Sequence, residues 1–293
     1  MSAFEFKEDL VSVIIPGYKS TFIIESVECA LSQTYPHVEV IVVDDGSPNQ
    51  LKETLSDYIE TGKIRYIYQE NQKMAAARNN GIEHSNGEYI AFLDDDDLWL
   101  DNKLEEQVKC FKADPETALV YTFAVGFDND GDIPIPNFHI CNTGRIFTHI
   151  FLEDFIANSS VMIRKAALTK SGLFNATPAY FGVDDCDMWT RITYYYNAQC
   201  IKKDLTRIRL HDQQFSGDRS IMLFNDLNAR KQLIEDLDVP SAIQCQYLAR
   251  IHFDIGYNLR KSAKTKALNH YVKSLVSHFS VKTLLAIAKL PIS

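Results

Sequence analysis

The chain has 293 residues but only 12 glycines, and none of them builds a phosphate loop. No Gly-x-Gly-x-x-Gly follows the first apolar run, and no Gly-Lys-Ser/Thr occurs. This excludes the two common ways of cradling phosphate on backbone amides. The six cysteines, Cys29, Cys110, Cys141, Cys186, Cys200 and Cys245, include no Cys-x-x-Cys pair. A zinc ribbon and a disulfide framework are thereby disfavoured, and buried free thiols are expected. No window is long and apolar enough to span a bilayer. The first nine residues lack the basic patch and apolar core of a secretory leader. These absences predict a cytoplasmic protein. Acids are missing after Asp254, where seven bases follow: Arg260, Lys261, Lys264, Lys266, Lys273, Lys282 and Lys289. The chain's net charge of −9 is therefore split between a basic tail and a strongly acidic remainder. That asymmetry predicts a surface meeting an anionic partner, with nothing to suggest nucleic acid.

What is present is an ordinary globular composition, 46% apolar and 24% charged, enough for a full core. Apolar, β-branched runs at 11–16, 38–43, 64–68 and 88–93 alternate with helical spacing at 22–34, 51–59 and 74–84. This rhythm predicts a doubly wound α/β sheet whose strand ends converge on one edge. A helix over 104–111, strands over 119–123 and 160–163, and a helix over 164–171 follow. The stretch 127–132 has the acids of a calcium loop, but its glycine is misplaced and no glutamate closes it, so a surface turn is expected. From Leu223 the pattern is helical. We therefore expect a domain over 1–217, with halves 1–100 and 101–217, a boundary near Gly217, and a helical region over 218–293 that is basic and amphipathic after 255.

The strongest chemical signal is the run Asp94-Asp95-Asp96-Asp97, directly after the apolar run Tyr89-Ile90-Ala91-Phe92-Leu93. Four adjacent carboxylates repel one another unless they are well solvated or a cation neutralises them. A buried parallel strand delivering acids to the carboxyl edge of a sheet places them where open α/β sheets bind ligands. The cluster points to a hard divalent metal and, behind it, a phosphate.

Five segments in order, SVIIPGY (12–18), VVDDGS (42–47), AAARNNGI (75–82), FLDDDDLW (92–99) and VDDCDMWTR (183–191), resemble family 2 of the nucleotide-sugar glycosyltransferases. Each motif is weak alone; the ordered set is specific, and the likeness covers roughly 10–215. The resemblance implies a GT-A fold, a mixed Rossmann-like sheet, and inverting transfer from a UDP-sugar with Mn2+ or Mg2+. It implies that Pro16 and Tyr18 line the base pocket, with the Tyr18 ring on uracil. Asp45 would accept from the base and Asp44 would shape the same loop, while Lys73 and Arg78 face the nucleotide. Asp94-x-Asp96 matches the family's Asp-x-Asp, although Asp95-x-Asp97 also fits. Asp95 would lie by the ribose, Asp96 would hold the metal, and His211 stands where relatives carry a histidine near metal or diphosphate. Asp185 matches the catalytic base, and Asp184 stands beside it where the family usually has Glu. Trp99 and Trp189 fit either a platform for an acceptor sugar or core packing. Lys19 and Gln72 depart from the common Asn and Gly.

Inverting transfer needs a neutralised diphosphate leaving group and one carboxylate to take the acceptor proton, with no covalent intermediate. The expected acceptor is a saccharide, free or lipid-linked, in surface polysaccharide assembly. A sugar-nucleotide nucleotidyltransferase would carry a glycine-rich, arginine-containing loop after the first strand, which SVIIPGYKS lacks. A non-catalytic nucleotide or saccharide binder would be expected to lose the acids, and all are present. In the tail, apolar residues recur at helical spacing over 267–290 with lysines on other faces. That pattern fits either a peripheral helix on an anionic membrane or a hairpin packed on protein.

Overall fold

A computed structural model of the chain describes residues 5–48, 51–211 and 219–290. The boundary expected near Gly217 lies outside the described residues. The chain divides into two compact units. One comprises Met1–Ile150, Asp154–Ala176 and Met188–Gln214; the other comprises Phe151–Glu153, Thr177–Asp187 and Phe215–Ser293. The helical end of the chain thus shares its unit with 177–187, which the sequence grouped with the acceptor half.

Among the described residues the first unit has nine strands: β1 (Lys7–Gly17), β2 (Val38–Asp45), β3 (Arg65–Gln69), β4 (Gly87–Phe92), β5 (Leu98–Trp99), β6 (Thr117–Asp128), β7 (Gly131–Ile133), β8 (Met162–Arg164) and β9 (Asn197–Arg209). Their order is β3-β2-β1-β4-β8-β6-β9-β5, with β7 paired to β6. The first four strands are parallel. Their registers bring Gly17 opposite Asp44, Asp45 opposite Gln69, and Ile14 opposite Phe92, so their carboxyl ends lie together as the sequence predicts.

Both faces of this half are covered. Helices α1 (Ile23–Leu31), α2 (Leu51–Thr54), α3 (Ser56–Glu60), α4 (Met74–His84) and α5 (Lys103–Ala113) fill the crossovers. Val13, Ile15, Val40 and Val42 pack on one side with Val27, Leu104 and Val108, while Ile41 and Val43 meet Ala77 of α4 on the other. Strands buried on two faces read as unbroken apolar runs, and for that reason they were legible. The single helix expected over 51–59 is broken at Leu55, whose φ of −101° and ψ of 9° interrupt the spiral.

The second half of the sheet is where the strands mix direction. β8 runs antiparallel to β4, with Ala91 opposite Met162. The 3-10 turn Asn158–Ser160 just before β8 therefore arrives where β4 ends. β9 runs parallel to β6, but its register slips between Thr122 and Ala124, where Ile201, Asp204 and Thr206 are the successive partners. These bulges insert residues into β9 and set the phase of everything after them. β5 pairs antiparallel with β9, Trp99 opposite Thr206. The calcium-like stretch is a turn between β6 and β7, with the Asp130 amide donating to Asp128 Oδ1 at 2.8 Å and Gly131 at φ +131°. The remaining helices before the tail are α6 (Phe147–Leu152), α7 (Leu168–Ser171) and α8 (Asp184–Tyr195).

In the second unit, α9 (Arg219–Asp236), α10 (Ser241–Leu259), α11 (Lys264–Ser277) and α12 (Val281–Ala288) form the helical region. α10 and α11 approach closely: a Cβ on Gly256 would lie 2.8 Å from the Tyr271 ring, and the Ser274 hydroxyl donates to Ala249 O at 2.7 Å. Ala267 and Tyr271 are buried, whereas Leu268, Val272 and Val276 on another face of α11 are exposed. Among the described residues, no helix is long and apolar enough to cross a membrane.

One glycine sets a distance in the first unit. A Cβ on Gly81 of α4 would stand 2.5 Å from Ile14 Cγ2 of β1. Ile14 is β-branched and fully buried, so it has little room to yield. Alanine at an exposed helix position would gain ~1 kcal/mol over glycine. Here overpacking outweighs that gain, and Gly81→Ala is expected to destabilise the fold by about 1–3 kcal/mol in urea unfolding. An unchanged midpoint would show that α4 and β1 can separate freely.

Candidate active site

The acid run folds into a tight turn after β4. The Leu93 amide still donates to Ile14 O at 3.1 Å, and the Asp97 amide then donates back to Asp94 O at 3.2 Å. The turn sends the four carboxylates to different partners. Asp94 Oδ1 pairs with Arg78 Nη2 at 2.8 Å and accepts from Asn158 Nδ2 at 2.9 Å. Asp95 Oδ2 accepts the Tyr18 amide at 3.3 Å, and its carbonyl accepts the Ser20 hydroxyl at 2.9 Å. Asp96 Oδ2 lies 3.0 Å from His211 Nε2, and its carbonyl accepts Arg209 Nε at 2.9 Å.

Asp97 is the most enclosed of the four. Its carboxylate accepts the Arg209 amide at 3.0 Å and the Ser159 hydroxyl at 2.5 Å, and its carbonyl accepts Ser26 Oγ at 2.9 Å. One acid thus ties together α1, the turn before β8 and the end of β9. Burial pushes the Asp95 carboxyl up to about 7, reinforced by the charges of Asp96 and Asp94. Burial and the Asp94 charge also raise Asp96, although the His211 ring opposes this. Asp97 is held well above the usual carboxylate range, again mainly by burial. Burial and mutual repulsion both disfavour the charged form of these acids, and a bound cation would relieve the repulsion.

The loops after β1 and β2 flank this turn. Pro16 and Gly17 are buried, while Tyr18 is 40% exposed, with Lys19 Nζ 5.0 Å from its ring centroid. Lys19 has φ +57°, the left-handed region that asparagine tolerates best among non-glycine residues. That explains why an Asn is common there and why Lys is a departure. The Lys19 amide donates to Ser47 Oγ at 3.1 Å, joining the two loops. Asp44 and Asp45 are buried. Asp44 accepts the Ser47 amide at 2.8 Å and the Tyr66 hydroxyl. Asp45 accepts Gln69 Nε2 and the Gln72 amide on Oδ1, both at 2.8 Å, and the Lys73 amide on Oδ2 at 2.9 Å. Its carboxylate thereby shapes the entry to α4, where Lys73 stands at φ +74°. Arg78, one turn into α4, is buried against the Phe174 ring.

Pro16, Tyr18, Asp44, Asp45, Lys73, Arg78, the acid run and His211 all belong to the first unit. Asp184 and Asp185 open α8 and belong to the second. Asp184 is buried, and Asp185, half-buried, accepts the Cys186 amide on Oδ1 at 2.8 Å. The two tryptophans are core residues. Trp99 is 4% exposed, donating to Ser159 O at 2.7 Å with Lys103 Nζ 4.0 Å from its ring centroid. Trp189 is fully buried between Phe92 and Phe174. Neither indole offers a face to a sugar, so packing, the second of the two sequence readings, describes both.

Asn158, Ser159 and Arg209 were not singled out in the sequence, yet all three touch the acids. Arg209 also pairs with Glu25 at 2.7 Å, and its guanidinium lies over the Phe22 and Phe127 rings. Its one sequence signal is its position two residues before His211.

Among the described residues, no three His, Cys, Asp or Glu side chains are grouped to hold a metal. A divalent ion bound through one or two protein groups plus substrate phosphates needs no such group. Adjacent donors on an octahedral ion about 2.1 Å from each stand ~3.0 Å apart. Asp96 Oδ2 and His211 Nε2 have that separation. One carboxylate and one imidazole beside mutually repelling acids fit such an ion.

Comparisons with known proteins bear on the family and the fold. The family model described as Glycosyl transferase family 2 matches residues 12–172. An uncharacterized glycosyltransferase of Rickettsia bellii is 35% identical over 201 residues, 68% of this chain and 29% of its own length. One from Nostoc sp. is 32% identical over 274 residues, covering 90% of this chain and 83% of its own. The structure of S. aureus TarS 1–349 in complex with UDP-GlcNAc superposes with a TM-score of 0.71 at 16% identity, covering 95% of this chain and 83% of that one. The chain spans about a third of the length of several curated relatives it matches.

The Asp97 hub generates a stability test. Asp97→Ala would leave the buried Arg209 amide and Ser159 hydroxyl without their acceptor, at about 1–3 kcal/mol for each group. Urea unfolding is expected to show a loss of about 2–5 kcal/mol. A loss under about 0.5 kcal/mol, the size of an ordinary surface change, would remove Asp97 as the anchor of the turn.

Proposed function

The chain belongs to glycosyl transferase family 2, and from that premise we propose that it moves a hexose or N-acetylhexosamine from a UDP-sugar to a saccharide acceptor with inversion. The observation that carries the reading is the 3.0 Å approach of His211 Nε2 to Asp96 Oδ2 within a turn of mutually repelling acids. TarS binds UDP-GlcNAc, which favours a uridine donor here. The exposed Tyr18 ring supports stacking on the base, with Asp44 and Asp45 shaping its pocket and Lys73 and Arg78 on the nucleotide side. Asp95, beside the Tyr18 amide, is assigned to the ribose.

Asp96 and His211 would hold Mn2+ or Mg2+. When bound, that ion neutralises the charge that develops on the diphosphate leaving group. Arg78 and Arg209 keep Asp94 and Asp97 in place, so that the turn presents Asp96 in one orientation. Asp185 is assigned as the base, with Asp184 beside it. The acceptor hydroxyl gives its proton to Asp185 as its oxygen bonds to the anomeric carbon. The bond from that carbon to the diphosphate breaks in the same displacement, which converts an α-linked donor to a β-glycoside. The proposed setting is surface polysaccharide assembly on a free or lipid-linked acceptor, with the basic tail meeting the cytoplasmic face of a membrane. The exposed Leu268, Val272 and Val276 and the absence of acids after Asp254 support that setting.

Two measurements test the reading. In a panel of UDP- and GDP-sugars, a UDP-sugar is expected to raise the melting temperature and support transfer only with Mn2+ or Mg2+ present. Transfer in excess chelator at the full rate would remove the metal. Asp185→Asn is expected to keep the UDP-induced thermal shift while kcat falls by about 10²–10⁴-fold. Near-normal turnover would reassign the base.

A further inference from the structure

Helices α10, α11 and α12 enclose a cavity of about 580 Å³. Small-molecule sites commonly fall at about 300–1,000 Å³. Among the described residues five bases line it, Arg260, Lys261, Lys264, Lys282 and Lys289, and no acid does. Its apolar wall is formed by Phe253, Tyr257 and Leu285. The two rings are stacked, with centroids 6.3 Å apart. Two of the bases lie against them: Lys282 Nζ is 4.4 Å from the Phe253 centroid, and the Arg260 guanidinium is 3.4 Å from that of Tyr257. Asp254 on α10 is close enough to feel Lys282 but does not line the cavity.

This chemistry selects its occupant. A cation would be repelled, and a neutral sugar would make no use of the basic lining. A free inorganic anion would answer the charges but leave the aromatic wall unused. An amphiphile with a phosphate head uses both. The wall also continues outward, because Val281, Leu284 and Leu285 on α12 are 62%, 43% and 55% exposed. An acyl or isoprenoid chain leaving the cavity would run along these side chains.

We propose that the α10–α12 cavity binds the phosphate head of a single membrane lipid. The cavity stands on its own lining; only the source of the lipid rests on the membrane reading of the tail. Diffuse adsorption and a built pocket make opposite demands on the lysines. Lys266 and Lys273 do not line the cavity, yet they would serve diffuse adsorption as well as Lys261 and Lys289 do.

The test uses the full chain and three variants. Lys261→Glu with Lys289→Glu reverses two pocket charges. Lys266→Glu with Lys273→Glu reverses two charges outside it. Ala286→Trp fills the cavity with no change of charge. Short-chain phosphatidic acid, monomeric in solution, is titrated by calorimetry, with inorganic phosphate in a parallel arm. Helix content is checked by circular dichroism. The unsubstituted chain is expected to bind one lipid, at least about tenfold more tightly than inorganic phosphate. The pocket reversal and Ala286→Trp are expected to weaken lipid binding by at least about tenfold, and the outside reversal by less than about threefold. Equal loss in the two reversals, unchanged binding by Ala286→Trp, or equal affinity for inorganic phosphate would each overturn the pocket. Sedimentation with phosphatidic acid vesicles separates the two readings. Vesicle binding that survives without short-chain lipid binding would leave the tail's adsorption standing and remove the cavity.

Discussion

Four carboxylates cannot occupy one turn unless each is drawn toward a different partner, and the edge of the sheet is organised around that constraint. Mutual repulsion would otherwise open the turn. α4 supplies Arg78 to the first acid, and the loop after β1 supplies backbone and hydroxyl donors to the second. The end of β9 supplies Arg209 to the fourth and the segment just after it supplies His211 to the third, and the turn before β8 adds Asn158 and Ser159. These pairings hold the acids in place, while burial first and the neighbouring carboxylates second raise Asp95, Asp96 and Asp97 above the usual range. A fully neutralised cluster would be stable and inert. A less supported one would not hold its shape.

How far this edge could be read in advance depended on distance along the chain. β1, β2 and β4 are buried on both faces, so their apolar runs announce strands and the polar residues after them announce an edge. Asp94–Asp97 stood out because acids rarely follow directly on such a run. Arg209 and Ser159 gave no comparable signal. They reach the acids from 112 and 62 residues away, and only the antiparallel arrival of β8 and the long course of β9 bring them there. β9 itself was not anticipated, because lysines and polar residues interrupt its apolar positions in NAQCIKKDLTRIR. Trp99 and Trp189 remained open in the sequence because an indole near catalytic motifs suits a core as well as a sugar. Burial decided for the core.

The two units separate the proposed donor side from the proposed base and the basic cavity. The first holds every residue assigned to the nucleotide and the metal. The second holds Asp184 and Asp185 at the start of α8, and the basic cavity among its helices. Within the second unit the acids end at Asp254 and the cavity's bases begin at Arg260. A basic surface would suit a diphosphate donor poorly as a general device, because it would attract every anion. On the proposed function, confining it to the helical tail leaves the acidic edge to a nucleotide that arrives with its own cation.

The bulges of β9 carry a consequence for how this chain can diverge. Residues inserted between Ile201 and Thr206 set which face of the strand each later side chain occupies. A deletion of one residue there would turn Arg209 away from the acid turn and offer Leu210 in its place, because strand side chains alternate with period two. Sheet pairing could tolerate such a change, since β9 is already irregular at that point. The acids could not, for they would lose a guanidinium and gain a leucine. Length variation in this stretch is therefore policed by a site several residues downstream, and lineages that keep the acids should keep the count.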